Sequence, residues 1–426
     1  MSLIAPAQAH AATPLVDTLT AARAASTVLA TTPTAGKDAA LRAIALELRA
    51  ATAEIVTANH EDLVAGEDSG LSSGLIDRLR LDVDRVDALA DAVEHVVGLT
   101  DPVGEHVRGS VLPNGLQLAQ VRVPFGVVGA IYEARPNVTV DIAALALKSG
   151  NAVVLRGGSA AQRTNAVLVR RIQDAIASVG LPRELVQTID PLGRAGATEL
   201  MRARGLVDVL IPRGSASLIQ TVVTESQVPV IETGAGVVHV FLDQSAPLER
   251  SVDIVLNSKV QRPSVCNALE TLLVHERAAE RLLPVLADRL RAAGVTLRGD
   301  DATRTIVPGV LRATEADWAT ESMDLDLSIR VVPDVDAAMA HIAQWSTHHT
   351  ESIVTNDVDT AEHFLAGVDS AVVMVNASTR FTDGGEFGFG AEVGISTQKL
   401  HARGPMGLPE LTSTKWLVRG QGHIRG

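Results

Sequence analysis

Cys266 is the only cysteine among 426 residues, and it lies in Asn257-Ser-Lys-Val-Gln-Arg-Pro-Ser-Val-Cys-Asn-Ala268, flanked by cations and a helix-breaking proline. A thiolate is favoured by nearby Lys or Arg and by a helix N-terminus, so a loop presenting Cys266 beside Lys259 and Arg262 would make it a nucleophile. The alternative is an inert cysteine acting as a small buried hydrophobe. Asn, Ser, Lys, Gln, Arg and Pro around it make a poor core segment, which favours the reactive reading.

Two strand-to-helix turns could hold phosphate. Arg156-Gly157-Gly158-Ser159 and Pro212-Arg213-Gly214-Ser215-Ala216-Ser217 each offer backbone N–H groups at a helix start together with an arginine. Neither is a GxGxxG or Walker A motif, and the same residues also serve as ordinary turn and N-cap chemistry. A third dense segment, Val375 to Ser396, has five glycines between Gly384 and Gly394 and the series Asn376-Ala-Ser-Thr-Arg380. That mixture of apolar anchors and polar donors suits a small-molecule site; a flexible surface loop is the other reading.

The elements that must position these residues follow from periodicity. Leu15 to about Leu99 repeats apolar residues at helical spacing, as in Leu41, Ile44, Ala45 and Leu48. Val121 to Tyr132 reads as one near-continuous β run, followed by a helix from Val138 to Lys148. Strands are expected at 152–155, 185–189 and 207–211, with helices between them and after Ser215. A second alternation is expected after Cys266, with strands at 271–274, 329–332, 352–355 and 371–375 and helices at 276–293, 335–345 and 358–367. Hydrophobic strands alternating with helices imply parallel sheets covered on both faces, in two α/β domains.

Composition excludes several function classes. A formal net charge of −13 opposes nucleic-acid and anionic-membrane partners, and 2% aromatics leaves few base-stacking platforms. A single cysteine forms no internal disulfide and builds no four-cysteine zinc site, and no metal is expected. Met1 to Pro14 lacks the basic start of a signal peptide, and no apolar run reaches about 18 residues, so a cytoplasmic location is expected.

Four stretches carry a specific resemblance: Val123-Pro-Phe-Gly-Val-Val-Gly-Ala-Ile-Tyr-Glu-Ala-Arg-Pro-Asn137, Lys259-Val-Gln-Arg-Pro-Ser-Val-Cys-Asn267, Val375-Asn-Ala-Ser-Thr-Arg-Phe-Thr-Asp-Gly-Gly-Glu-Phe-Gly388 and Ser396-Thr-Gln-Lys-Leu-His-Ala-Arg-Gly-Pro-Met-Gly407. In this order they resemble the signatures of the gamma-glutamyl phosphate reductases, within the aldehyde dehydrogenase superfamily. The resemblance implies an α/β fold with a Rossmann-like cofactor domain (residues 1–104 and 123–231), an α/β catalytic domain carrying Cys266 (232–400) and a small β oligomerisation arm (105–122 and 401–426). It implies NADPH-dependent reduction of L-glutamyl 5-phosphate to L-glutamate 5-semialdehyde through a cysteine thioester, in L-proline biosynthesis. It also implies a homodimer or tetramer and a transient contact with glutamate 5-kinase.

By the same resemblance Asn137 supplies an oxyanion donor. Arg156, Gly157, Ser159, Gly214, Ser215 and Glu321 contact the cofactor, with Arg156 at the 2′-phosphate and Glu321 at the nicotinamide ribose. Arg135, Lys259, Arg262 and Arg380 are the cations available for the substrate's anions. Glu232 stands where hydrolytic relatives keep a general base, which would waste the thioester if competent. A hydrolytic aldehyde dehydrogenase and a non-catalytic protein of this fold remain alternatives.

Overall fold

The computed structural model describes residues 13–133 and 135–425; Met1 to Ala12, read above as lacking a signal peptide, lie outside the described residues. The chain forms two compact units. One comprises Met1–Glu232, Phe389–Gly394 and Met406–Gly426, the other Thr233–Gly388 and Ile395–Pro405.

In the first unit, the amphipathic pattern becomes five helices, Pro14–Leu29, Thr34–Ala50, Thr52–Asp68, Ser73–Leu79 and Val83–Gly98. Leu41, Ile44, Ala45 and Leu48 are each at most 1% exposed, so the sequence stripe is the buried face. A four-stranded parallel sheet follows, in the order 186–188, 152–156, 127–132, 209–213. Every residue of Val127–Tyr132 is buried, as expected of a strand covered on both faces. Tyr132 reaches over the following helix, its hydroxyl 2.6 Å from Thr139 Oγ1, which donates to Asn165 Oδ1 at 2.9 Å.

The run read as one strand from Val121 to Tyr132 is two. Gln117–Pro124 pairs antiparallel with His106–Val111 and with Thr412–Arg419, forming a separate three-stranded sheet, while Val127–Tyr132 enters the parallel one. The break falls at Pro124, which has no N–H to offer a ladder, and at Gly126, whose φ of 122° side-chain-bearing residues rarely adopt. Asn151 Oδ1 holds the turned backbone by accepting from Gly126 N–H at 2.9 Å.

The second unit is built on a seven-stranded parallel sheet in the order 311–312, 296–299, 326–332, 269–275, 238–242, 350–354, 372–375. The alternation does not begin after Cys266, as expected from the sequence, but before it. Val238–Leu242, buried throughout, is an inner strand between Leu269–His275 and Thr350–Val354, and the helix Leu248–Val260 follows it. His239 interrupts the apolar run that would have marked this strand. It is 0% exposed, and its Nδ1 lies 3.0 Å from Glu351 Oε2 on the neighbouring strand. Among the described residues, no helix is long and apolar enough to cross a membrane.

Candidate active site

In the second unit, Cys266 occupies the tight turn between the helix Leu248–Val260 and the strand Leu269–His275, and it is half-buried. Ala268 N–H closes the turn on the Val265 carbonyl at 3.0 Å. The Asn376–Thr382 stretch holds the turn in place. Thr379 Oγ1 donates to the Asn267 carbonyl at 2.7 Å, and Asn267 Nδ2 donates to the Thr382 carbonyl at 2.8 Å. The glycine-rich segment that follows the last strand is thus joined at its start to the cysteine turn.

Gly236 lies against the same turn. A Cβ built on it would sit 1.5 Å from the Cys266 carbonyl oxygen, so only glycine fits. Its N–H donates to Glu321 Oε1 at 2.9 Å. Burial raises the Glu321 carboxyl above its ordinary range, opposed by this bond.

The cations divide sharply. Arg380 is half-buried and donates through Nε to Gln261 Oε1 at 2.9 Å. Burial lowers its guanidinium below the usual value, and Asp383, Arg262, Cys266 and Glu386 all act on it electrostatically. Arg262 is exposed. Lys259 corrects the sequence reading: it lies in the helix, 0% exposed, with Nζ 3.2 Å from Glu270 Oε2. The polar run judged unfit for a core is buried at Ser258 and Lys259, because Glu270 and Ser378 supply partners there. Lys259 is committed to Glu270 and is not a cation held open for a ligand.

In the first unit, the helix Pro136–Lys148 opens with Pro136, pre-set for its first turn, after Arg135 as its N-cap. Asn137, in the first turn, donates through Nδ2 to Asp141 Oδ2 at 3.2 Å. Burial pushes the Asp141 carboxyl up to about 6, opposed by that bond and by the charge of Arg213.

At the end of the strand Ala152–Arg156, Arg156 Nη1 donates to the Gly157 carbonyl at 2.8 Å, while its buried Nε has no hydrogen-bond partner. A buried guanidinium donor without an acceptor is unusual and fits an anionic ligand at this turn. Asp190 accepts from Gly157 N–H at 2.6 Å and fixes the turn. Ser159 starts the short turn Ser159–Ala161 and is exposed.

The other proposed phosphate turn differs. Ser215 caps the helix Ala216–Glu225, but its N–H and hydroxyl donate to the exposed Glu133 carboxylate at 2.7 and 2.9 Å. A Cβ on Gly214 would meet that carboxylate at 2.7 Å. At this turn the Glu133 carboxylate, an internal anion, occupies the helix N-terminus that Gly214 and Ser215 are expected to turn toward pyrophosphate, as the positive end of a helix dipole favours. Asp190, Glu133, Asp141 and Glu270 all escaped the sequence reading. Asp190 and Glu133 carried a signal, each an acid directly after an expected strand.

A model of the aldehyde dehydrogenase family matches residues 2–317. The chain is 69% identical over 408 residues to a gamma-glutamyl phosphate reductase of Clavibacter michiganensis subsp. michiganensis, covering 96% of this chain and 94% of that one. It is 66% identical over 414 residues to that of Leifsonia xyli subsp. xyli, covering 97% and 98%. The crystal structure of gamma-glutamyl phosphate reductase from Thermotoga maritima superposes with a TM-score of 0.95 at 47% identity, covering 97% of this chain and all of that one. The chain therefore belongs to the aldehyde dehydrogenase family, as an oxidoreductase among its gamma-glutamyl phosphate reductases.

Proposed function

We propose that this chain reduces L-glutamyl 5-phosphate to L-glutamate 5-semialdehyde and phosphate with NADPH, a step of proline biosynthesis. The observation that carries the reading is the half-buried Cys266 turn with Arg380 and Arg262 beside it, a nucleophile next to cations suited to an acyl phosphate.

Cys266 Sγ attacks the acyl carbonyl, the carbonyl π electrons move to oxygen, and their return expels phosphate to leave a thioester. Arg262 and Arg380 offset the charge of the phosphate and the substrate carboxylate. Asn137 Nδ2 donates to the oxyanion of each tetrahedral species; losing such a donor costs about 2.7–4 kcal/mol of barrier. Bound NADPH supplies the hydride that reduces the thioester. Cys266 then leaves as thiolate, releasing the aldehyde.

Arg156 holds the adenosine 2′-phosphate, with Gly157 and Ser159 lining the turn, and Glu321 holds the nicotinamide ribose. Ser215 and Gly214 meet the pyrophosphate once Glu133 withdraws. Arg135 is a further cation for the substrate. The antiparallel sheet of 106–111, 117–124 and 412–419 packs against a second copy, giving a homodimer or tetramer.

The test is the reverse reaction. Purified protein given 1-pyrroline-5-carboxylate, which equilibrates with the semialdehyde, should reduce NADP only when phosphate is present. Reduction without phosphate would make it a hydrolytic dehydrogenase. Cys266→Ala should abolish turnover with the fold intact by circular dichroism; appreciable residual activity would remove the covalent mechanism.

A further inference from the structure

Lys259 and Glu270 stand on the two sides of the Cys266 turn, one near the end of the preceding helix and the other in the following strand. Their side chains are 0% and 2% exposed. Burial pulls the lysine down and pushes the glutamate up, while their attraction opposes both. Replacing such a pair by apolar residues of similar volume is often neutral or stabilising, so stability alone does not explain it.

What the pair holds is more specific. Ser322 Oγ donates to Glu270 Oε2 at 2.6 Å, Met323 N–H donates to Glu270 Oε1 at 3.3 Å, and Lys259 Nζ lies 3.4 Å from Ser322 Oγ. Met323 has a φ of 53°, a left-handed conformation that a methionine keeps only when its surroundings impose it. The residue before Ser322 is Glu321, whose carboxylate grips Gly236 N–H, and Gly236 lies against the Cys266 carbonyl. A closed circuit thus runs from the pair through the 321–323 loop and Gly236 to the nucleophile's turn.

We propose that the Lys259–Glu270 pair is the positioning element of the Glu321 loop, fixing the Glu321 carboxylate relative to the Cys266 turn and so the hold on the nicotinamide ribose. The proposal rests on the reading of Glu321 as a cofactor contact. Neither Lys259 nor Glu270 touches reacting atoms; both act through Ser322 and Met323. Their loss therefore loosens the nicotinamide end of the cofactor and leaves the adenosine end, held by Arg156, as it was.

The test compares NADPH with 2′,5′-ADP, which carries the adenosine 2′-phosphate and no nicotinamide ribose. Dissociation constants are measured by NADPH fluorescence and by calorimetry on wild type, Glu321→Gln and the double variant Lys259→Met/Glu270→Leu, which removes both charges without leaving one unpaired. The double variant should weaken NADPH about tenfold, the scale of one lost hydrogen bond to a charged group, and leave 2′,5′-ADP unchanged. Adding Glu321→Gln to it should cost nothing further. Equal weakening of both ligands, or of neither, while Glu321→Gln is selective for NADPH, overturns the positioning role alone. A Glu321→Gln variant that binds NADPH as wild type does removes the ribose reading, and the proposal with it.

Discussion

Glu133 and Glu270 each take up donors that the sequence offers to a ligand, and they do so in opposite surroundings. Glu133 is exposed and caps Ser215 at a helix N-terminus; Glu270 is buried against Lys259 and Ser322. An exposed polar contact is worth about 0–1 kcal/mol and exchanges readily for water or another anion. A buried pair broken on one side leaves an uncompensated charge, which costs about 3–5 kcal/mol. A carboxylate of the first kind is cheap to displace, and one of the second kind is not.

The contrast breaks first at Glu270. Glu270→Ala should lower unfolding stability by about 3–5 kcal/mol in urea titration, and adding Lys259→Met should recover much of it. A Glu270→Ala protein as stable as wild type would show that water reaches Lys259. Next is Arg156, whose buried Nε has no hydrogen-bond partner and which is proposed to hold the adenosine 2′-phosphate. Arg156→Ala should weaken NADPH by about 1.5–3 kcal/mol and NADH far less, measured by fluorescence titration. Equal losses would assign Arg156 to the turn itself. The smallest effect is expected at Glu133: Glu133→Gln should tighten NADPH by at most about 1 kcal/mol, because the displaced contact is exposed. Weaker binding in that variant would mean that Glu133 supports the cofactor instead of preceding it.

The same contrast explains what was legible in the sequence. Periodicity recovered the helices Glu276–Ala292, Val335–Trp345 and Val358–Gly367 to within a few residues, because their apolar stripes are the faces they bury. It missed Val238–Leu242, where His239 breaks the run and is accommodated by Glu351 from a strand more than a hundred residues away. It fused Val121 to Tyr132 into one strand, because the sheet each half joins is decided by partners distant in sequence. Cys266 was legible as the sole sulfur in a cationic, proline-broken run. The state of Lys259 was not, since the partner that neutralises it, Glu270, becomes its neighbour only once the turn has folded.

Gly236 makes position 236 the gauge of how far the Cys266 turn can be re-engineered. Its α-carbon stands so near the Cys266 carbonyl that even alanine would have to push the backbone bearing the sulfur aside. A saturation library should therefore find position 236 intolerant of every side chain, for reasons of space and not of reactivity. Libraries meant to widen substrate choice have their freedom elsewhere, at exposed side chains such as Arg262 that reach the turn without bracing it.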